Sequence, residues 1–104
     1  MHQNLLKETC RVMESNGHSP RDVVFCKTDD AVFDWKTFKE AARDFEYDSG
    51  FGLAQVRQDL VIVGEDWWMK RREYDGCEWW EFLTKPEEKD QVIVSKINLK
   101  SRGL

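Results

Sequence analysis

The sequence predicts a single α+β domain over residues 1–104, with a mostly antiparallel sheet and its helices packed on one face. Two segments carry apolar residues at three- and four-residue intervals, the period of an amphipathic helix. Two strand-like segments flank Asp75-Gly76, a dipeptide favoured in two-residue hairpin turns. A length of 104 residues with 40% hydrophobic residues suits one core. The predicted element order is α-β-α-β-β-β-β.

The first helix is predicted from Asn4 to Asn16, because Gly17 is a natural C-terminal stop. Its apolar stripe consists of Leu5, Leu6, Cys10, Val12 and Met13. Ser19-Pro20 breaks the pattern. The first strand is predicted over 23–27, where β-branched and aromatic residues follow one another.

The second helix is predicted to begin after Asp34, which can accept backbone hydrogen bonds as the N-cap residue. Phe33 and Phe38 have the spacing of a hydrophobic staple. The stripe of this helix consists of Trp35, Phe38, Ala41, Ala42 and Phe45. We expect the helix to end near Tyr47, before the glycine-containing bend at 49–52.

Four strands are predicted in the remainder of the chain. Residues 60–63 form a continuous apolar run of the kind that is buried on both faces. Residues 67–74 and 77–84 form the hairpin around Asp75-Gly76. After a polar break at 85–89, residues 92–99 are predicted to form a last strand at the edge of the sheet.

A two-residue turn determines which residues of the hairpin share a face, because side chains alternate along a strand. One face carries Trp67, Met69, Trp80 and Phe82, and we expect this more apolar face to pack on the second helix. The opposite face carries Trp68, Lys70, Arg72, Tyr74, Trp79 and Glu81, which we expect to face solvent. These six are the predicted partner-binding residues, since exposed tryptophan beside arginine is typical of binding hot spots.

Two alternative interpretations leave this face without a binding function. Arg72 can lie over Trp79 simply as a cross-strand cation–π pair. The first helix can also cover the second face of the hairpin, in which case no exposed patch exists.

Composition limits the classes of function. A net charge of −4 argues against non-specific binding of duplex DNA. Three cysteines without close spacing encode neither a disulfide framework nor a zinc site, and we expect no metal and no cofactor. The start of the chain resembles no signal peptide, and no apolar run is long enough to span a bilayer, so we expect a cytoplasmic protein.

Carboxylates are concentrated between residues 29 and 48, either as a solvated helix face, as a negatively charged docking surface or as a mimic of nucleic-acid phosphates. Glu46 and Asp48 flank Tyr47 beside the bend, where a small enzyme with a carboxylate site is an alternative. The two histidines, His2 and His18, lie outside any catalytic motif. We therefore expect no enzymatic activity.

Three segments, FEYDSGFG (45–52), DLVIVGEDWW (59–68) and EYDGCEWWEF (73–82), resemble small proteins encoded by phages and prophages of Gram-positive bacteria. The resemblance implies an accessory protein that binds and blocks host machinery, such as CRISPR or restriction systems. No activity is assigned to that group, so no functional residue is carried over from it.

The predicted function is non-enzymatic binding of a protein partner through the exposed hairpin face. The alternative is a single-stranded nucleic-acid binder that stacks bases on the same aromatics and contacts phosphates with Lys70, Arg72 and the basic residues Lys96, Lys100 and Arg102. A homo-oligomer is also compatible with the sequence.

Overall fold

The structure, a computed structural model, describes residues 2–50, 52–86 and 92–101. Within these ranges it contains two α-helices, seven strands and one 3-10 turn at Pro20–Asp22. The elements are β1 (His2–Asn4), α1 (Leu5–Ser15), β2 (Phe25–Thr28), β3 (Ala31–Phe33), α2 (Trp35–Ala42), β4 (Glu46–Asp48), β5 (Val61–Val63), β6 (Trp67–Tyr74) and β7 (Cys77–Thr84).

The main sheet has five antiparallel strands in the order β3-β2-β5-β6-β7. A separate two-stranded sheet pairs β1 with β4. The predicted α+β class with a mostly antiparallel sheet is confirmed. The predicted order of elements is wrong in detail, because it lacks the short strands β1, β3 and β4.

Both helices begin at a side-chain cap, of which the one at Asp34 was predicted. The Asn4 side chain accepts a hydrogen bond from the Lys7 amide at 3.0 Å, and Gly17 follows α1 with a φ of 80°. The Asp34 side chain accepts from the Thr37 amide at 2.9 Å at the start of α2.

The end of α2 differs from the prediction, which placed it near Tyr47. The helix ends at Ala42, since Glu46–Asp48 pairs with β1 instead. In this strand the Tyr47 side chain is buried and donates a hydrogen bond to Glu8, 39 residues away. A long-range pairing therefore overrides the local helical pattern.

Both helices pack on the same face of the main sheet, which we call the inner face. Its buried side chains are Cys26, Ile62, Trp67, Met69 and Trp80 from the sheet, Leu5 and Met13 from α1, and Phe38 and Ala42 from α2. The apolar run of β5 is therefore not buried on both faces as predicted. Ile62 points into the core, while Val61 and Val63 remain half-buried on the opposite side.

The predicted last strand over 92–99 is not formed. Residues 92–101 belong to no strand, and the apolar side chains among them are largely exposed. Strand propensity alone is insufficient here, because a strand also needs an edge with which to pair. Within the described residues, β7 is the edge strand on that side of the sheet.

Candidate functional site

The β6–β7 hairpin has the predicted register, from Tyr74 opposite Cys77 to Trp67 opposite Thr84. Asp75 and Gly76 have φ values of 51° and 84°. Positive φ at both loop residues is the requirement of a type I′ turn, which matches the twist of the flanking strands. The turn thus determines which side chains of the hairpin point away from the helices.

The tip of the hairpin is held by the preceding bend. The Gly50 amide donates a hydrogen bond to the Gly76 carbonyl oxygen at 2.8 Å. A Cβ atom at Gly76 would lie 3.1 Å from the Gly52 carbonyl oxygen, so the two backbones approach closely. The strands that carry the aromatic residues are therefore anchored at their turn.

The face of the sheet opposite the helices, which we call the outer face, carries the six residues predicted to bind a partner. Tyr74 is 77% exposed and Trp79 is 42% exposed, while Trp68 is half-buried. Lys70 and Glu81 are also half-buried, and Arg72 is exposed. The prediction of which hairpin face is buried is confirmed, but the predicted packing of that face on the second helix is wrong: the hairpin packs mainly on α1, where Trp80 Nε1 donates to Thr9 Oγ1, while α2 packs on β2. Because α1 lies on the inner face, the alternative in which it covers the second face is wrong.

The outer face extends beyond the hairpin onto β2 and β5. An apolar row crosses four strands at Phe25, Val63, Trp68 and Leu83, which are paired neighbours in the register. The next row consists of Lys27, Val61, Lys70 and Glu81. No local pattern indicates that Phe25 and Lys27 belong to this face, since the β2–β5 pairing joins segments that are far apart in the chain.

The outer face is cationic although the chain as a whole is negative. Lys27, Lys70 and Arg72 share it with one carboxylate from the paired strands, Glu81. Glu81 Oε1 lies 3.9 Å from both Lys70 Nζ and Arg72 Nε. These contacts are long and solvent-exposed, and such pairs contribute little to stability. The cations consequently remain accessible to a binding partner.

Arg72 is not held against a neighbouring ring. The arginine–ring contacts in the described part of the chain both involve Arg71, whose guanidinium carbon lies 5.0 Å from the Trp80 ring centroid and 5.6 Å from that of Tyr47. The expected cation–π pair of Arg72 with Trp79 is therefore not formed, and Trp79 presents an exposed ring.

A charged network lies directly beneath the hairpin, on the inner face. Arg71 Nη2 donates to Glu78 Oε1 at 3.0 Å and to Tyr47 Oη at 3.2 Å, and Arg71 Nη1 lies 3.3 Å from Glu8 Oε2. Tyr47 Oη in turn donates to Glu8 Oε1 at 2.6 Å. The side chains of Arg71 and Glu78 are fully buried. One network thus joins α1, β4 and both hairpin strands.

The network shifts the ionisation of its members. Burial, together with the hydrogen bond to Glu8, raises the pKa of Tyr47 to about 12. Burial alone would lower the pKa of Arg71, but the hydrogen bond with Tyr47 and the charge of Glu8 outweigh it and raise that pKa. Tyr47 therefore stays neutral and Arg71 charged at physiological pH.

Glu78 also fastens the segment that follows the bend. Its Oε2 accepts from the Gln55 amide at 2.6 Å, and its Oε1 accepts from the Val56 amide at 3.1 Å. A buried carboxylate with three charge-assisted hydrogen bonds is strongly fixed. The outer face thus rests on a rigid support that the sequence pattern did not reveal.

The carboxylates around Asp48, considered as the site of a small enzyme, are exposed and pair with His2. His2 lies between Glu46 and Asp48, with Nε2 2.6 Å from Glu46 Oε1 and Nδ1 3.5 Å from Asp48 Oδ1, and all three side chains are exposed. Hydrogen bonds from Asn4 and His2 lower the pKa of Glu46. A general acid at neutral pH requires a raised pKa.

One cavity of about 360 Å³ lies between α2, the β2–β3 hairpin and residues 56–60. Its apolar walls include Leu5, Phe33, Phe38, Ala42, Val56 and Leu60. Among its lining residues, Arg57 Nη2 pairs with Asp59 at 2.6 Å and with Asp30 at 3.1 Å. Hydrogen bonds from Arg57 and from the Asp29 amide lower the pKa of Asp59 to about 2.

The acidic residues between 29 and 48 are mostly exposed, in accordance with a solvated face, and their use as a docking surface stays a prediction. Across residues 2–50, 52–86 and 92–101, no three histidine, cysteine or carboxylate side chains are grouped so as to hold a metal ion. In the same ranges no helix has the length and apolar character needed to cross a membrane.

Comparison of the chain with protein-family models, with curated proteins and with solved structures found no match.

Proposed function

We propose that this chain is a non-enzymatic binding module that captures a protein partner through its outer face. The observation that carries the proposal is the exposure of Trp79 and Tyr74 beside the cations Arg72 and Lys70, opposite both helices. Aromatic and arginine side chains supply most of the binding energy in protein interfaces. The core already contains two tryptophans on the inner face, so packing does not account for the exposed ring.

The charge of the outer face indicates the chemistry of the partner. Three cations and one carboxylate on this face oppose the net charge of −4 of the whole chain. A partner surface with acidic groups beside apolar side chains would be complementary to it. Because the buried network of Arg71 holds the hairpin beneath, little conformational entropy is lost when the face is covered.

The proposed setting is the cytoplasm of a bacterium that carries a phage or prophage, where the partner is a host protein such as a component of a CRISPR or restriction system. Affinity purification from an infected or lysogenic host is the experiment that identifies the partner. The double variant Trp68→Ala/Trp79→Ala is the bait that must fail to retain it. A protein that the wild-type chain and the double variant retain equally does not bind the outer face.

Once a partner is in hand, Trp79→Ala measures the contribution of the exposed ring. Truncation of a hot-spot residue costs about 2 kcal/mol, or about a thirtyfold increase in Kd. Leu53→Ala is the matched control, since Leu53 is 89% exposed and does not belong to the outer face. An unchanged Kd for Trp79→Ala, or loss of its cooperative melt, contradicts the proposal.

The exposed thiol of Cys77 reports on the same face without any substitution. Cys77 pairs with Tyr74 at the tip of the hairpin, whereas Cys26 is buried and burial raises its pKa to about 12. Bound partner should slow the alkylation of Cys77 and leave Cys26 unreactive. Equal alkylation rates with and without partner place the interface elsewhere.

Cations next to exposed rings also favour a second candidate, binding of single-stranded nucleic acid. Stacking on Trp79 and Trp68 contributes about 1 to 3 kcal/mol per base, and Lys70 and Arg72 would contact phosphates. Titration with labelled oligonucleotides tests this, since affinity should fall steeply with salt. Absence of binding at low salt excludes this candidate and leaves the protein partner.

A further inference from the structure

The main sheet has a free edge along β7, which within the described residues pairs with β6 alone. Because Tyr74 and Cys77 close the turn, ladder alternation directs the backbone N–H and C=O groups of Glu78, Trp80, Phe82 and Thr84 away from β6. The Ser49 hydroxyl covers the first position, accepting from the Glu78 amide at 3.1 Å and donating to the Glu78 carbonyl at 3.3 Å. Beyond Glu78 no strand among the described residues pairs with this edge, which can therefore accept another strand.

The segment from Val92 to Leu99 has the composition of a strand but pairs with no strand among the described residues. Its five apolar residues, Val92, Ile93, Val94, Ile97 and Leu99, are 59% to 95% exposed. The radius of gyration is 16.9 Å, against about 13 Å for a compact chain of this length, and the exposure of these five side chains shows that the segment is not packed into the core. Clustered exposed apolar residues of this kind mark an interaction site.

The geometry points to an exchange in which residues 92–99 of each of two copies of this chain add a strand to the free β7 edge of the other copy. In the single chain this segment leaves its own β7 edge uncovered and stays exposed, so it is available to a second copy. In a reciprocal exchange, residues 92–99 of each copy form hydrogen bonds with the β7 edge of the other copy, which gives a closed twofold dimer. This interaction is separate from the outer face and does not depend on the function proposed for it.

Charge and side-chain alternation suit this pairing. Residues 91–104 contain three cations, Lys96, Lys100 and Arg102, and no carboxylate. The receiving strand, Cys77–Thr84, contains Glu81 on the outer face and no lysine or arginine. An added strand gains main-chain hydrogen bonds along the edge, and its alternating side chains extend both faces of the sheet.

Light scattering after size exclusion tests the exchange. Wild-type protein should have twice the 12.4 kDa mass of one chain, with dissociation on dilution. Ile93→Lys/Ile97→Lys should have the mass of one chain and an unchanged fold, because both side chains are exposed. Thr84→Pro should also be monomeric. The Thr84 amide points away from β6, so proline there removes an edge donor without breaking the β6 ladder.

Mixing the two monomeric variants provides the decisive comparison. The Thr84→Pro chain keeps an intact 92–99 segment, and the Ile93→Lys/Ile97→Lys chain keeps an intact β7 edge. The segment of the first can pair with the edge of the second, so the mixture should recover a complex of twice the chain mass. A wild type that is monomeric at every concentration overturns the exchange, as does an Ile93→Lys/Ile97→Lys variant that remains dimeric. Amide exchange that protects 92–99 within a monomer shows pairing with its own edge and likewise overturns it.

Discussion

Arg71 and Glu78 lie diagonally across the β6–β7 hairpin, with Nη2 3.0 Å from Oε1 and neither side chain exposed to solvent. Arg72, the next residue, points to the opposite face and is half-exposed. Two adjacent arginines thus occupy opposite sides of one sheet, one fixed in the core and the other presented to solvent. Arg71 therefore belongs to the residues that stabilise the fold, and Arg72 to those proposed to bind a partner.

Arg71→Met should destabilise the protein by about 3 to 5 kcal/mol, because it leaves the buried carboxylate of Glu78 without its cation. Urea unfolding measures the effect as a lower midpoint at unchanged slope. Arg72→Met, the same substitution on the outer face, should change stability by less than about 0.5 kcal/mol. Similar losses in both variants would show that the Arg71 network contributes no more than a surface residue.

The double variant Arg71→Met/Glu78→Gln tests whether the unpaired charge causes the loss. Removing both charges should be less destabilising than Arg71→Met alone, although the neutral side-chain amide is a weaker acceptor than a carboxylate for the Gln55 and Val56 backbone N–H groups. The coupling energy follows from the double-mutant cycle. A purely additive result contradicts a direct interaction between the two side chains.

A neutral hydrogen bond fixes α1 on the same hairpin. Trp80 Nε1 donates to Thr9 Oγ1 at 2.8 Å, and that hydroxyl donates to the Leu5 carbonyl at 2.6 Å. Thr9→Val should cost about 1 to 3 kcal/mol, since it leaves the buried indole N–H without an acceptor. Thr84→Val, at an exposed position, should cost less than about 0.5 kcal/mol in the same chemical denaturation. An equal loss of unfolding free energy in the two variants would argue against the hydrogen bond between Trp80 and Thr9.

Features encoded by neighbouring residues were predicted from the sequence. The Asp34 cap and the Asp75-Gly76 turn each depend on a few adjacent residues, and the turn alone determined the register of sixteen hairpin residues. Alternation then placed Arg71 beside Trp80 on the inner face. Its partners Glu8 and Tyr47 come from elements 63 and 24 residues away in the chain, so no local pattern identifies them.

Features that depend on distant pairing were missed or wrong. The pairing of His2–Asn4 with Glu46–Asp48 converts the predicted end of α2 into a strand. The segment over 92–99 shows the reverse error, because its residues favour a strand that the described chain does not pair. Local propensity describes what a segment can form, while the available partner decides what it forms.

Gly64 illustrates a packing requirement that also escapes local patterns. A Cβ atom there would lie 2.1 Å from the ring atoms Cε2 and Nε1 of Trp67, whose ring also stacks against those of His18 and Phe82. Gly64→Ala should therefore cost about 3 kcal/mol through overpacking. Gly17→Ala meets no atom within 4 Å and should cost about 1 kcal/mol, from its positive φ alone. Equal thermal midpoints for the two variants would contradict a tight Gly64–Trp67 contact.

The ionisation of Tyr47 gives the fold an alkaline limit. Its pKa is raised to about 12 in the folded protein by burial and by the hydrogen bond to Glu8, against about 10 in an unfolded chain. Between these two values the unfolded chain loses its proton first, so stability should be full below about pH 10 and fall as the pH rises towards about 12. Tyrosinate absorbance of a Tyr74→Phe variant isolates this group, and circular dichroism follows unfolding over the same range. Ionisation of Tyr47 near its unfolded-chain pKa with the fold intact would show that its hydroxyl is not enclosed by Glu8 and Arg71.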